Sequence, residues 1–140
     1  MIPTKQTRFS DKSTGTHGNC FAACLASLIE LPITEVPAFQ DMPTDQWGTE
    51  FIKWLYSVGW EYMGDPHFND LTEQDWKEYP FIIVGGKSPR DETVGHAVIY
   101  YKGLPFFDPH PSEEFILEEY DAYLIRKRAD KGMDVCVMRI

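Results

Sequence analysis

Cysteine is scarce in this sequence. The chain holds Cys20, Cys24 and Cys136, an odd number with no CxxC pair, which argues against a framework of disulfides. Long apolar runs are also missing, since none reaches the roughly 18–20 residues of a membrane span. The opening segment "MIPTKQTRFSDK" lacks the apolar stretch of a secretory signal. We therefore expect free thiols, no membrane partner and a cytoplasmic location, in a bacterial or phage-infected host cell.

Positive charge is the second scarcity. Lysine and arginine number 13 against 22 acidic residues, which gives a net charge of −9. A domain that binds the phosphate backbone of nucleic acids normally carries a basic face. The composition therefore argues against nucleic acid and against anionic membrane surfaces as partners. It leaves small molecules, peptides and other proteins.

The pattern of apolar residues predicts one α+β domain over residues 1–140. With 43% hydrophobic residues, the chain can build one core. A buried helix is expected from Asn19 or Cys20 to Pro32, with the Asn19 side chain as its N-cap. A second helix fits Thr44 to Val58, and "LTEQDWKEY" predicts a short third helix capped by Thr72 or Asp70. "WEYM", between the second and third helices, predicts a short strand.

Strands dominate the second half of the sequence. "PFIIVGG" and "HAVIYY" predict two strands, and "LPFFD" predicts a third that pairs with "HAVIYY" across a tight turn at Lys102–Gly103. "EYDAYLIRKR" fits either a strand or a helix, and "MDVCVMRI" predicts a last strand. Because helices precede strands instead of alternating with them, the fold class is α+β. The apolar helix near the N-terminus should pack on this antiparallel sheet.

One cysteine stands where chemistry is favoured. Cys20 begins the first predicted helix, where unpaired N–H groups and the helix dipole favour an anion such as a thiolate. His96 opens the strand "HAVIYY", and Asp108 follows twelve residues later at the end of the paired strand. The start of one hairpin strand lies beside the end of the other, so His96 and Asp108 should be neighbours. A Cys-His-Asp set of this kind predicts nucleophilic catalysis.

These residues resemble those of the papain-like cysteine peptidase superfamily, including its C39-like members and short papain-like proteins of tailed phages. The likeness is carried by "GNCFAACLASLIELP" and "GHAVIYYKGLPFFDP" within residues 15–37 and 95–111. It implies a papain-like fold and a catalytic Cys20, His96 and Asp108. It also implies a peptide or protein substrate and no cofactor. Peptidase, isopeptidase and amidase chemistry, as well as transfer to other acceptors, are all compatible with this set.

The resemblance leaves the oxyanion donor open. Many relatives have a glutamine about six residues before the cysteine, but this chain has Gln6, fourteen residues before Cys20. Gln6 can serve if the chain between them loops out, and otherwise Asn19 or the backbone N–H of Cys20 must stabilise the charge. Three further residues are weaker candidates for the substrate cleft. They are Gly18, Gly95 and His110.

Two other hypotheses compete with the hydrolase. The chain could be an inactive papain-like binding module of a phage, which blocks a host factor and keeps the triad only as structure. Alternatively, His17, Cys20, Cys24 and His96 could bind zinc, although paired zinc ligands rarely lie inside an Ala/Leu-rich helix. For Cys24 and Cys136 alone, buried core filling is the preferred interpretation.

Overall fold

The computed structural model describes residues 1–129, in which three α-helices and five strands form an α+β fold. The helices are α1 (Cys20–Ile29), α2 (Trp47–Ser57) and α3 (Glu73–Glu78). The strands are β1 (Trp60–Gly64), β2 (Phe81–Lys87), β3 (Gly95–Tyr101), β4 (Leu104–Phe107) and β5 (Glu119–Lys127). The α+β prediction is confirmed. Cys136 and the strand predicted for "MDVCVMRI" lie outside the described residues. Within residues 1–129, no helix is long and apolar enough to cross a membrane.

The five strands form one antiparallel sheet in the order β1-β5-β2-β3-β4. β5, whose sequence fits either a strand or a helix, is a strand that lies between β1 and β2. Its Ala122, Leu124 and Ile125 are buried, so burial against the sheet decides its conformation. The other strand predictions within residues 1–129 are confirmed.

The sheet is covered on both faces. On one face, Leu25 of α1 and Phe51 of α2 pack with Ile83 and Ile99 in the larger core cluster. On the other face, a second cluster joins Ile82 and Val84 of β2 with partly buried side chains that include one from α3. Adjacent β2 residues point to opposite faces, so a strand buried on both sides reads as a continuous apolar run. Burial of both faces explains the apolar run "FIIV" in β2. The packing of Leu25 on Ile83 and Ile99 places the N-terminal helix against the sheet.

The helix ends depart from the predictions in two places. α2 begins at Trp47 and not at Thr44, because the backbone N–H groups of Gln46 and Trp47 turn back to the Pro43 carbonyl. The predicted Asn19 cap of α1 is also wrong, since its side chain makes no hydrogen bond to the first turn. Thr72 does cap α3, where it forms a reciprocal capping box with Asp75.

The β3–β4 hairpin has the predicted tight turn. Lys102 and Gly103 have φ values of 50° and 89°, the left-handed pair that matches the twist of a two-residue hairpin. The turn sets β4 beside β3 with Ile99 opposite Phe107. It therefore brings the start of β3 next to the residues that follow β4.

Candidate active site

The hairpin brings His96 and Asp108 into direct contact. His96 Nε2 lies 2.7 Å from Asp108 Oδ1, and the residues are only 5% and 1% exposed. The contact is therefore shielded from water, which strengthens its electrostatic component. The proximity expected from the hairpin alone is thus present in the structure.

Asp108 is held by backbone donors as well as by His96. The N–H of His110 donates to Oδ1 at 2.9 Å, and the N–H of Phe115 donates to Oδ2 at 2.8 Å. Burial raises the pKa of Asp108, but the hydrogen bonds from His96 and these two amides outweigh it and leave the pKa below its usual value. The carboxylate is therefore ionised and fixed in orientation at neutral pH.

Cys20 is the first residue of α1, and its sulfur faces the start of β3. The Ala97 N–H donates to Cys20 Sγ at 3.4 Å, so the sulfur lies beside the residue that follows His96. Burial lowers the pKa of His96, but Asp108 and Cys20 together raise it to about 9. An imidazolium next to a sulfur at a helix N-terminus favours the thiolate.

Cys24 lies one turn further along α1 and has a different environment. It is fully buried in the core, and burial raises the pKa of its thiol well above the usual value. The core interpretation of Cys24 is confirmed. The zinc hypothesis is wrong, because no group of three or more His, Cys, Asp or Glu side chains in residues 1–129 is arranged to hold a metal ion.

Gln6 lies at the site despite its distance in sequence. Its backbone N–H donates to the Pro109 carbonyl at 3.0 Å, directly after Asp108. The residue is 8% exposed and lines a cavity together with Cys20 and His96. Its Nε2 donates to the Arg8 carbonyl at 2.8 Å, and an amide nitrogen carries a second hydrogen. Gln6 therefore shares a cavity wall with the thiol and has one amide hydrogen that the bond to Arg8 does not use.

The chain between Gln6 and Asn19 forms an excursion, here defined as residues 7–18. The Asn19 Oδ1 atom accepts hydrogen bonds from the N–H groups of Thr7 at 3.0 Å and Arg8 at 2.8 Å, and its Nδ2 donates to Thr7 Oγ1 at 2.8 Å. The excursion thus leaves and returns at the same point, which explains the fourteen-residue spacing between Gln6 and Cys20. The Asn19 side chain ties the base of the excursion and lines neither cavity beside Cys20. In this structure the Asn19 side chain is engaged with Thr7 and Arg8 and not with the cavities.

Replacement of Asn19 by alanine should test this role. The change removes three hydrogen bonds and leaves two backbone N–H groups without a partner, so we expect a loss of about 2–3 kcal/mol in the free energy of unfolding. Thr7→Ala removes only one of these bonds and should cost about 1 kcal/mol. Urea unfolding measures both. If the two variants cost the same, Asn19 does not hold the excursion.

Two cavities meet at Cys20. The larger one, about 470 Å³, is walled largely by apolar and aromatic side chains. The smaller one, about 220 Å³, is more polar and more enclosed. Both are lined by Cys20, Gly95 and His96. Side chains of the larger wall include Phe21, Phe39, Trp47 and Tyr123. Those of the smaller wall include Gln6, Lys12, Ser88, Arg90 and His110.

The weaker cleft candidates all lie at these cavities. Gly95 borders both, and His110 borders the smaller one with its ring 6.1 Å from that of His96. Gly18 also borders the smaller cavity, but packing explains its glycine. A Cβ atom there would lie 3.1 Å from the backbone nitrogen of Ser10 in the excursion.

Sequence reasoning missed several residues of the cavity walls. Trp47 lies within the second predicted helix, and in the structure it is partly buried against the core and lines the larger cavity. Lys12 and Arg90 belong to two loops far apart in sequence, and nothing in their local pattern indicates a shared cavity.

The chain matches no protein-family model, no curated protein and no solved structure.

Proposed function

We propose that the protein is a papain-like cysteine hydrolase that cleaves peptide or related amide bonds through a thioester on Cys20. The observation that carries the proposal is that the partly exposed Cys20 lies with the buried His96–Asp108 pair at the junction of two cavities. An N-terminal helix that starts with the thiol and packs on an antiparallel sheet further supports the papain-like assignment.

The first half of the reaction acylates the thiol. The Cys20 thiolate attacks the substrate carbonyl carbon, and the carbonyl electron pair moves onto oxygen. The second Nε2 hydrogen of Gln6 and the Cys20 backbone N–H stabilise that oxyanion. When the tetrahedral intermediate collapses, the carbon–nitrogen bond breaks and the His96 imidazolium gives its proton to the leaving nitrogen. The acyl group stays on sulfur.

The second half restores the enzyme. His96, now neutral, takes a proton from water as the water oxygen attacks the thioester carbon. The carbon–sulfur bond breaks, the carboxylic acid leaves and the thiolate–imidazolium pair returns. Asp108 holds the His96 ring through Nε2 during both halves and stabilises its charged form. No cofactor takes part in these steps.

The rival hypothesis of an inactive binding module loses its main ground. An inactive module would be expected if no donor for the oxyanion lay near Cys20. The excursion brings Gln6 to a wall that it shares with Cys20, so a candidate donor is available.

Alkylation of Cys20 by iodoacetamide should test activation of the thiol. At pH 6.5 an ordinary thiol is about 1% thiolate, whereas His96, with a pKa of about 9, is an imidazolium that favours the thiolate. We therefore expect the wild type to react about tenfold faster than His96→Ala. The difference should vanish above pH 9, where His96 is neutral and ordinary thiols are ionised.

The labelled residue is identified by peptide mass mapping, which separates Cys20 from the buried Cys24. The control is His67→Ala, since His67 lines neither cavity beside the thiol. It should alkylate like the wild type. A wild-type rate at pH 6.5 no higher than that of His96→Ala would contradict the proposed function.

A further inference from the structure

We propose that the smaller cavity is a closed subsite for a short leaving group with a free carboxylate, so that the protein trims one or two residues from the C-terminal end of a peptide. This inference rests on the proposed function and narrows its substrate class. It depends on how the cavity ends, on the charge of its walls and on the contrast with the larger cavity.

The smaller cavity is closed by contacts between two loops. Lys12, in the excursion, forms an ion pair with Asp91 at 3.2 Å and also hydrogen-bonds Thr93. Asp91 and Thr93 belong to the loop between β2 and β3, and Lys12 and Asp91 both line the cavity. The two loops that form part of the cavity wall are therefore joined by direct contacts. A volume of about 220 Å³ corresponds to roughly seven water molecules, which leaves room for only a short group.

The charged side chains that line this cavity include two cations and one anion, and Glu114, which is not part of the lining, pairs with Arg90. Lys12 and Arg90 are cationic and Asp91 is anionic, in a chain whose net charge is −9. Burial and the charge of Arg90 lower the pKa of His110, so its ring is neutral at pH 7. With two cationic side chains in its lining, the cavity favours an anionic ligand group over a cationic one.

Two side chains of the cavity have donors to offer. Arg90 Nη1 donates to Ser112 Oγ at 2.8 Å and lies 3.5 Å from the Glu114 carboxylate. A guanidinium carries five N–H donors in all. Ser88 is 5% exposed, and its Oγ accepts from the Arg90 N–H at 3.2 Å. That bond leaves the hydroxyl hydrogen of Ser88 to be donated. These groups fit the two oxygens of a carboxylate.

The larger cavity has the opposite character. Its wall is largely apolar and aromatic, it includes the Asp121 carboxylate, and no lysine or arginine of residues 1–129 lines it. A terminal carboxylate therefore belongs in the smaller cavity. The residue that carries this carboxylate lies on the amine side of the cleaved bond, so it is the leaving group. The acyl part of the peptide, with an apolar side chain, occupies the larger cavity.

Alkylation by a charged and a neutral reagent tests the charge argument. Iodoacetate carries a carboxylate, whereas iodoacetamide is its neutral counterpart. We expect Arg90→Gln to lower the iodoacetate rate at Cys20 about fivefold and to leave the iodoacetamide rate nearly unchanged. Lys53→Gln removes the same charge from a side chain that lines neither cavity, and should change neither rate. An equal effect of Arg90→Gln on both reagents would overturn the carboxylate subsite.

Peptide trimming tests the closed end. The probe is a pool of decapeptides of randomised sequence, prepared with either a C-terminal carboxylate or a C-terminal amide, and products are read by mass spectrometry. We expect release of one or two residues from the carboxylate pool and at least about tenfold less from the amide pool. The double variant Lys12→Ser, Thr93→Ala separates the loops and should gain internal cleavage. Internal cleavage by the wild type, or no cleavage despite fast labelling of Cys20, overturns this inference. Slow labelling of Cys20 instead overturns the proposed function itself.

Discussion

Replacing Gly86 with alanine is expected to destabilise the folded protein by at least about 3 kcal/mol. A Cβ atom at this position would lie 2.1 Å from the Glu118 carbonyl oxygen and 2.8 Å from Ile116 Cδ1. The carbonyl cannot move aside easily, because it accepts a hydrogen bond from the Lys87 N–H at 2.9 Å. Relief of the clash requires β2 and the chain before β5 to separate, and overpacking at a fixed backbone belongs to the most costly class of substitution.

The neighbouring glycine provides a matched control. A Cβ atom at Gly85 would meet its nearest neighbour, Tyr123 Cε2, at 3.6 Å, an ordinary contact distance. Gly85→Ala should therefore change the free energy of unfolding by less than about 1 kcal/mol. Urea unfolding of both variants gives the comparison. Similar losses in the two variants would mean that the close approach of Glu118 to Gly86 does not decide the cost.

The parts of the site that follow from local pattern could be predicted from the sequence. The turn at Lys102–Gly103 has a two-residue signature, and it fixes the pairing of its two strands. That pairing alone places His96 beside Asp108, with no knowledge of the remaining fold. Cys20 at a helix start also follows from composition, since an Ala- and Leu-rich run begins there. Sequence patterns of a few residues are enough to predict a contact such as His96–Asp108, because a single tight turn connects the two strands.

The remaining features depend on contacts between distant segments. Asn19 precedes a helix, so its local pattern predicts an N-cap. In the structure its side-chain oxygen instead accepts hydrogen bonds from the backbone N–H groups of Thr7 and Arg8. Gly86 looks like the end of a strand, yet the approach of Glu118 is what demands a glycine. Neither partner is visible to a rule that looks only a few residues along the chain.

The strand order is non-local in the same way. β5 is last of the described strands in sequence but lies between β1 and β2. Its sequence pattern fits either a strand or a helix, and only pairing with β1 and β2 selects the strand. The walls of the smaller cavity arise similarly, because Lys12 and Asp91 meet across 79 positions of sequence. The walls of the smaller cavity were therefore harder to predict than the contact between His96 and Asp108.

Removal of the Asp108 carboxylate should have the largest effect on catalysis. Asp108→Ala leaves the buried N–H groups of His110 and Phe115 without acceptors and His96 without its partner. We expect it to cost about 3–5 kcal/mol of stability, which would confuse any test of activity. Asp108→Asn keeps the size and one acceptor oxygen while it removes the charge, so it is the sharper variant.

In Asp108→Asn the pKa of His96 should fall from about 9 toward its ordinary value of 6.5, because burial still lowers it and the carboxylate no longer raises it. At pH 8 most of the protein would then hold a neutral imidazole, which cannot protonate a leaving amine. Together with the loss of ring orientation, this should slow peptide hydrolysis on the order of 10³-fold. The alkaline limit of the remaining activity should move to lower pH.

Titration of the histidine Cε1 protons by NMR measures the pKa directly, and the randomised peptide pool measures hydrolysis as a function of pH. Asp70→Asn makes the same chemical change at an exposed carboxylate that lines neither cavity, and it should leave both readouts as in the wild type. If Asp108→Asn lowers hydrolysis but leaves the pKa of His96 near 9, the carboxylate acts only by orienting the ring. If neither changes, the His96–Asp108 contact belongs to the fold and not to the chemistry.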